Sequence, residues 1–96
     1  MNPASQTKRE QMILKTVQEY EGKGYKVYAD IEGYPRPSII GGHRPDVLAV
    51  KGKHRTIVEV ETLDSLKTSF AAMRGAAFQR AYRRGSIADY KRVIAR

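Results

Sequence analysis

Arg44-Pro45-Asp46-Val47-Leu48-Ala49-Val50, the turn Lys51-Gly52-Lys53-His54, and then Arg55-Thr56-Ile57-Val58-Glu59-Val60-Glu61 form the stretch that decides how this chain is built. Two runs rich in β-branched residues flank a basic turn with a central glycine, which is the pattern of a β-hairpin. Strand side chains alternate faces with a period of two. If the hairpin closes with Val50 facing Arg55, then Leu48 opposes Ile57 and Asp46 opposes Glu59. Asp46, Leu48, Val50, Arg55, Ile57, Glu59 and Glu61 then share one face, and Val47, Ala49, Thr56, Val58 and Val60 share the other. A slip of one residue would send the acids of the two strands to opposite faces, so everything further rests on this register.

Three carboxylates on one face need a counter-charge. Like charges directly opposed across two strands disfavour pairing by up to about 1 kcal/mol. Leu48, Val50 and Ile57 make the same face partly apolar, where an unpaired carboxylate is costlier still. A hard divalent cation, Mg2+ or Mn2+, would supply the missing charge, because such ions take carboxylate oxygens and water. A plain amphipathic hairpin with its acids in solvent fits the same alternation.

Composition narrows the classes. The chain has 96 residues, enough for one small domain spanning 1–96, and a core of that size makes a homodimer a reasonable expectation. No cysteine is present, which excludes disulfides, thiol catalysis and cysteine-ligated zinc. No apolar run approaches the roughly 18 residues of a membrane span, and the first ten residues lack the apolar centre of a signal peptide. An intracellular, cytoplasmic protein is expected. Eighteen basic against ten acidic residues give a net charge of +8 and a pI near 10.0. That excess favours a polyanion, and so a nucleic acid, as partner. A membrane surface is not expected, since no helix pairs a strong apolar stripe with a continuous lysine face.

Around the hairpin the pattern reads α-β-β-β-α-β. Ser5 or Thr7 would cap a first helix, with Glu10 completing a capping box after Thr7. Ile13, Leu14, Val17 and Tyr20 would form its buried stripe, and Gly22 and Gly24 would end it. Residues 25–30 alternate as a strand, and residues 32–44 form a glycine- and proline-rich loop of a length that is often functional. After the hairpin, Thr62 or Asp64 would cap a second helix with Leu66, Phe70, Met73, Ala77 and Ala81 inward, closed by Gly85. Residues 90–96 read as a last strand.

Pro45-Asp46, twelve intervening residues, and Glu59-Val60-Glu61 resemble the motif of the PD-(D/E)XK nuclease superfamily, which includes restriction endonucleases and Holliday-junction resolvases. The resemblance implies a restriction-endonuclease-like α/β core, a mixed sheet flanked by helices, with the element order read above. It implies metal-dependent hydrolysis of phosphodiester bonds in DNA, often by dimers. Asp46, Glu59 and the Val60 carbonyl would then hold Mg2+ or Mn2+. Glu10 on the first helix would be a further metal neighbour, or else only a helix-start acid favoured by the dipole. Glu61 stands where the motif has lysine. Some members with glutamate there cut DNA, and Glu61 would orient or deprotonate the attacking water. Lys67 is the nearest replacement for the lost lysine in sequence, and an ordinary surface residue otherwise.

The second helix carries the charges Lys67, Arg74, Arg80, Arg83 and Arg84; of these Lys67, Arg80, Arg83 and Arg84, with Arg36 and Arg44 in or beside the long loop, are candidate phosphate contacts or solvated charges. His43 is a weak candidate for substrate contact. His43 and His54 lack the spacing of zinc ligands. Two other classes stay open: a catalytically degenerate domain that binds nucleic acid without cutting, and a small basic domain serving a protein complex.

Overall fold

The computed structural model describes the backbone of residues 3–96 and the side chains from residue 7 onward. Helix α1 runs over Pro3–Gly22, followed by strand β1, Lys26–Ala29. Strands β2, Val47–Lys51, and β3, His54–Thr62, form the expected hairpin. A single 3-10 turn at Ser65–Lys67 leads into helix α2, Ser69–Arg83, and β4, Asp89–Ala95, closes the fold. The four strands lie in the order β1-β2-β3-β4. The first two pairings are antiparallel and β3 pairs with β4 in parallel. The result is the restriction-endonuclease-like core: a mixed sheet between two helices.

The hairpin register is the expected one, with Val50 opposite Arg55, Leu48 opposite Ile57 and Val47 opposite Val58. The two faces separate as the alternation requires. Val47, Ala49, Val58 and Val60 pack with Val27 and Ala29 under Ile13, Val17 and Tyr20 of α1. Leu48 and Ile57 pack with Phe78 and Ala81 of α2, together with Ile40 and Ile87.

α1 starts earlier than expected. Its backbone is already helical at Pro3, so Thr7 lies inside the helix, while the Ser5 side chain falls outside the described residues. Proline is well suited to a first helical turn, since its missing N–H has no partner there anyway. The far end closes at Gly24 (φ 86°). There Gly24 N donates to the Glu21 carbonyl at 3.0 Å and Tyr25 N to the Tyr20 carbonyl at 3.0 Å. The Tyr20 and Tyr25 rings meet edge-on at 5.2 Å, which completes a Schellman closure with its apolar contact.

α2 departs from the expected stripe. Neither Thr62 nor Asp64 caps it. Thr68 does, its hydroxyl accepting from Ala71 N at 3.1 Å. Asp64 instead precedes the 3-10 turn. The buried face is Ala71, Arg74, Gly75, Ala77, Phe78 and Ala81, whereas Leu66, Phe70 and Met73 are exposed, the last two by 60% and 59%. The helix is rotated because the sheet beneath its first half is charged. An arginine and two residues without bulky side chains fit that surface better than leucine, phenylalanine and methionine would. Among the described residues, no helix is long and apolar enough to cross a membrane.

Candidate functional site

β2 begins at Val47, opposite Val58, so the last residues of β3 have β4 on one side and no strand on the other. Pro45 and Asp46 fill that opening. Asp46 replaces a strand with its side chain: Oδ2 accepts from Val60 N at 2.7 Å. Its carbonyl accepts from Asp30 N at 2.9 Å, which ties the end of β1 to the same corner. The alternation that buries Val58 and Val60 against α1 turns Glu59 and Glu61 toward α2. Asp46, Glu59 and Glu61 are thus brought to one end of the sheet, with 0%, 0% and 2% of their surface exposed.

Burial of three ionised groups requires compensation, and three arginines supply it. Arg9 of α1 donates from Nη2 to Asp46 Oδ1. Arg92, the β4 partner of Glu59 in the register, donates through Nε to Glu59 Oε1 at 3.0 Å, and Tyr90 adds its hydroxyl to the same oxygen at 2.7 Å. Arg92 Nη2 also donates to the Ala71 carbonyl at 3.1 Å. Arg74 lies among all three acids, 3.3 Å from Asp46 Oδ1, 3.9 Å from Glu59 Oε2 and 3.6 Å from Glu61 Oε1. Its Nη2 donates to the Arg44 carbonyl at 3.1 Å. The Phe70 and Phe78 rings, one helical turn before and after it, lie 5.6 and 5.8 Å from its guanidinium carbon, close enough for cation–π attraction.

The satisfaction is incomplete. Glu59 Oε2 and Glu61 Oε1 are buried without a hydrogen-bond partner, although Ser65 Oγ donates to the other oxygen of Glu61 at 2.5 Å. Burial pushes the Glu61 carboxyl above the usual carboxylate range. The Ser65 hydrogen bond and Arg74 oppose that rise, while Glu59 and Asp46 add to it. Burial, and then the hydrogen bond to Glu59, hold the Tyr90 phenol well above its ordinary value, so it stays a donor across the working pH range.

Two cavities open onto this cluster. One of about 350 Å3 is lined by Arg9, Asp30, His43, Arg44, Asp46, Phe70 and Arg74, with Gly42 at its rim. The other, of about 220 Å3, reaches Val60, Glu61 and Ser65, again past Arg9, Phe70 and Arg74. Of the residues singled out in the sequence, Asp46, Glu59, Val60 and Glu61 come together. Glu10 lies exposed on α1 and lines a separate cavity with Arg9, Asp30 and Arg36. Arg36 pairs with Asp30 at 2.8 Å. Arg44 donates to the Pro37 carbonyl at 2.5 Å. His43 stacks edge-on with Phe70 at 5.8 Å at the cavity mouth. Lys67 is exposed in the 3-10 turn. Arg80, Arg83 and Arg84 lie at the opposite end of α2 from Ala71 and Arg74, which at 1.5 Å per residue is on the order of 10–15 Å from the acids.

A model of the family described as REase_AHJR-like matches residues 1–77. The chain belongs to this AHJR-like, restriction-endonuclease-like family. No curated protein and no solved structure matches it. The matched stretch of this AHJR-like chain holds Arg9, the three acids and Arg74, while Tyr90 and Arg92 lie beyond it. Sequence reasoning passed over Arg9, Arg92, Tyr90 and Ser65, and counted Arg74 only as one of several helix charges. The available signal was an arginine amid small and aromatic residues, Ala71, Gly75 and Phe78, at helical spacing on a face that must meet acids.

The donor set suits a hard cation in type, being made of anionic oxygens of which two lack any donor. In the arrangement as it stands, each acid is turned onto an arginine. Among the described residues no three acid or histidine side chains converge closely enough to hold one metal ion.

Proposed function

We propose that this AHJR-like chain is a metal-dependent nuclease that hydrolyses phosphodiester bonds of DNA and works as a homodimer. The observation that carries the reading is the gathering of Asp46, Glu59 and Glu61, nearly devoid of solvent, at the open end of β3 in a chain of net charge +8. Such burial is costly for stability, and two of the carboxylate oxygens lack any hydrogen-bond donor. Sites that sacrifice stability in this way are characteristically functional.

Asp46, Glu59 and the Val60 carbonyl would hold Mg2+ or Mn2+. Extending the observed register by two residues puts Pro45 opposite Val60, and proline has no N–H to offer that carbonyl. When bound, the ion would polarise the scissile phosphate and lower the pKa of a coordinated water. Val60 N and Arg9 fix the orientation of Asp46. Tyr90 and Arg92 fix Glu59. Glu61 would orient or deprotonate the attacking water, with Ser65 holding one of its oxygens and the other left without a donor. The basic surface concentrates the duplex.

Cleavage of a labelled duplex and of supercoiled plasmid in Mg2+ or Mn2+ tests the reading. Nicking or cutting is expected with wild type, and it should be lost on chelation and in Asp46→Asn. Wild type that neither cuts nor takes up either ion would sink it. Sedimentation velocity checks the dimer. A second reading, binding without cutting, is favoured by the arginines that already neutralise the acids. It would be selected by salt-dependent duplex binding with no cleavage in either ion.

A further inference from the structure

Arg74 differs from its two neighbours in how it is held. Arg92 is committed to Glu59 Oε1 and the Ala71 carbonyl, passes beside Gly75, and lines a different cavity with Ala72, Gly75 and Tyr90. Arg9 is committed to Asp46. Arg74 approaches Glu59 Oε2 and Glu61 Oε1 only at 3.9 and 3.6 Å, as a charge without a hydrogen bond to either. Both oxygens remain without a donor. Its guanidinium lies 5.6 and 5.8 Å from the Phe70 and Phe78 rings, and with Arg9 it lines both cavities that reach the acids. It is a buried cation, 8% exposed, held through Nη2 by the Arg44 carbonyl and Asp46, while Nη1 points toward the two carboxylate oxygens that lack a donor.

Asp46, Glu59 and Glu61 carry three negative charges when ionised, and Arg9, Arg74 and Arg92 carry three positive ones. The cluster is close to neutral before any ion arrives. A divalent cation on the carboxylates would leave a buried surplus of positive charge, which a phosphate diester would offset.

Resting on the nuclease reading above, we propose that Arg74 is the phosphate-binding cation of this site. It takes the part left open where Glu61 stands at the position of a lysine, and it couples metal uptake to nucleic-acid binding. In the ion-free protein Arg74 balances the acids. With the carboxylates engaged elsewhere, its guanidinium faces the incoming phosphate, to which it can offer two parallel N–H donors. Charge accumulating on the phosphate oxygens would then be met by a fixed donor. By linkage, ion and duplex must strengthen each other's binding by the same factor.

The test uses the full chain with Ca2+ as a probe ion and a short duplex. It compares wild type, Arg74→Lys and Arg74→Gln by calorimetry, by fluorescence anisotropy and by cleavage in Mn2+. In wild type the duplex is expected to tighten Ca2+ binding by about tenfold or more. Arg74→Gln should bind Ca2+ alone at least as well as wild type, because a competing cation is gone. It should lose most of the duplex-induced gain, its duplex affinity in saturating ion should weaken by the same factor, and its kcat should fall by roughly 100-fold or more. Arg74→Lys should keep the coupling and part of the rate. If Arg74→Gln does not fold, Arg74→Lys carries the test, and normal folding without coupling overturns the proposal. Wild-type coupling and rate in Arg74→Gln would defeat the assignment to Arg74 and leave the nuclease reading standing. Absence of ion uptake and cleavage in wild type would defeat both.

Discussion

The two faces of one sheet do different work in this molecule. β3 supplies both: Val58 and Val60 to the face under α1, and Ile57, Glu59 and Glu61 to the face under α2. The α1 face is apolar through its centre, with Ile13 and Val17 fully buried upon it and no buried acid among its core residues. The α2 face is apolar only around Leu48, Ile57 and Phe78, and past Ile57 it becomes a knot of acids and arginines. Apolar burial contributes about 25 cal/mol per Å2, whereas a buried ion cluster at best breaks even against a well-packed apolar one. The α1 face therefore stabilises the fold, whereas the charged end of the α2 face adds little to stability, which supports the functional role proposed for it.

The most severe way to break this division is to put a charge on the wrong face. Val58 is 1% exposed, beneath α1. Val58→Asp would bury a carboxylate under Ile13 and Val17, where the nearest cation, its β4 neighbour Lys91, is directed to the Tyr20 ring, a defect of about 3–5 kcal/mol before lost packing is counted. Against the roughly 5–15 kcal/mol that holds a small domain together, we expect no cooperative unfolding transition by circular dichroism. A normal melt would show that the α1 face tolerates charge and that the contrast is false. Asp46→Asn probes the other side. It should retain the fold at reduced stability, since the amide oxygen can still accept from Val60 N while its NH2 no longer pairs with Arg9, and cut DNA at less than about 1% of the wild-type rate. Losses of 10–100-fold are common even for groups that only support a metal ligand. Melting curves beside single-turnover cleavage would separate the two effects.

Much of this contrast was legible in the sequence because strand alternation is strict. Once Val50 was set opposite Arg55, the partition of β2 and β3 between the faces followed, and with it the convergence of Asp46, Glu59 and Glu61. The partners of the acids were not legible. Arg9, Arg74 and Arg92 come from three elements separated by long stretches of chain, and nothing local in the sequence says which of 18 basic residues will meet which carboxylate. α2 was misjudged for a related reason. Its apolar residues Leu66, Phe70 and Met73 form a convincing helical stripe, but a helix takes its orientation from what it packs against. Here that surface is anionic, so Arg74 turned inward and Phe70 outward. Lys67, the nearest lysine in sequence, lies exposed in the 3-10 turn, whereas Arg74 lies among the acids.

A milder test concerns Glu61, the acid whose carboxyl burial raises above its ordinary range, against the pull of the Ser65 hydrogen bond. An acid with a raised folded pKa binds its proton more tightly folded than unfolded, so stability falls as pH climbs through that interval. At neutral pH the ionised group is a net cost. Glu61→Gln, similar in shape and still able to accept from Ser65, is expected to raise the melting temperature at pH 7. The gain should shrink as pH drops below the ordinary carboxylate range, where both states are protonated. Cleavage should fall in the same variant, the usual exchange of activity for stability at a strained site. A gain that grew in acid would mean that burial does not control this carboxyl.

The smallest expected effect isolates the arm that secures Glu59. Gly75 lies in the interior of α2, where glycine costs about 0.8–1.0 kcal/mol relative to alanine. A methyl group there would meet the tip of Arg92. That tip is the flexible end of a long side chain, so it can move aside, but doing so gives up its contacts to Glu59 and to the Ala71 carbonyl. Gly75→Ala in the wild-type background is therefore expected to be neutral or destabilising by no more than about 1 kcal/mol, the helix gain offsetting part of the lost charge-assisted bonds. In an Arg92→Ala background nothing stands in the way, and the same change should stabilise by close to the full propensity difference. The difference between the two backgrounds, read by urea melts, measures how much the passage of Arg92 beside Gly75 is worth. Equal effects in both would mean that Arg92 does not depend on that gap.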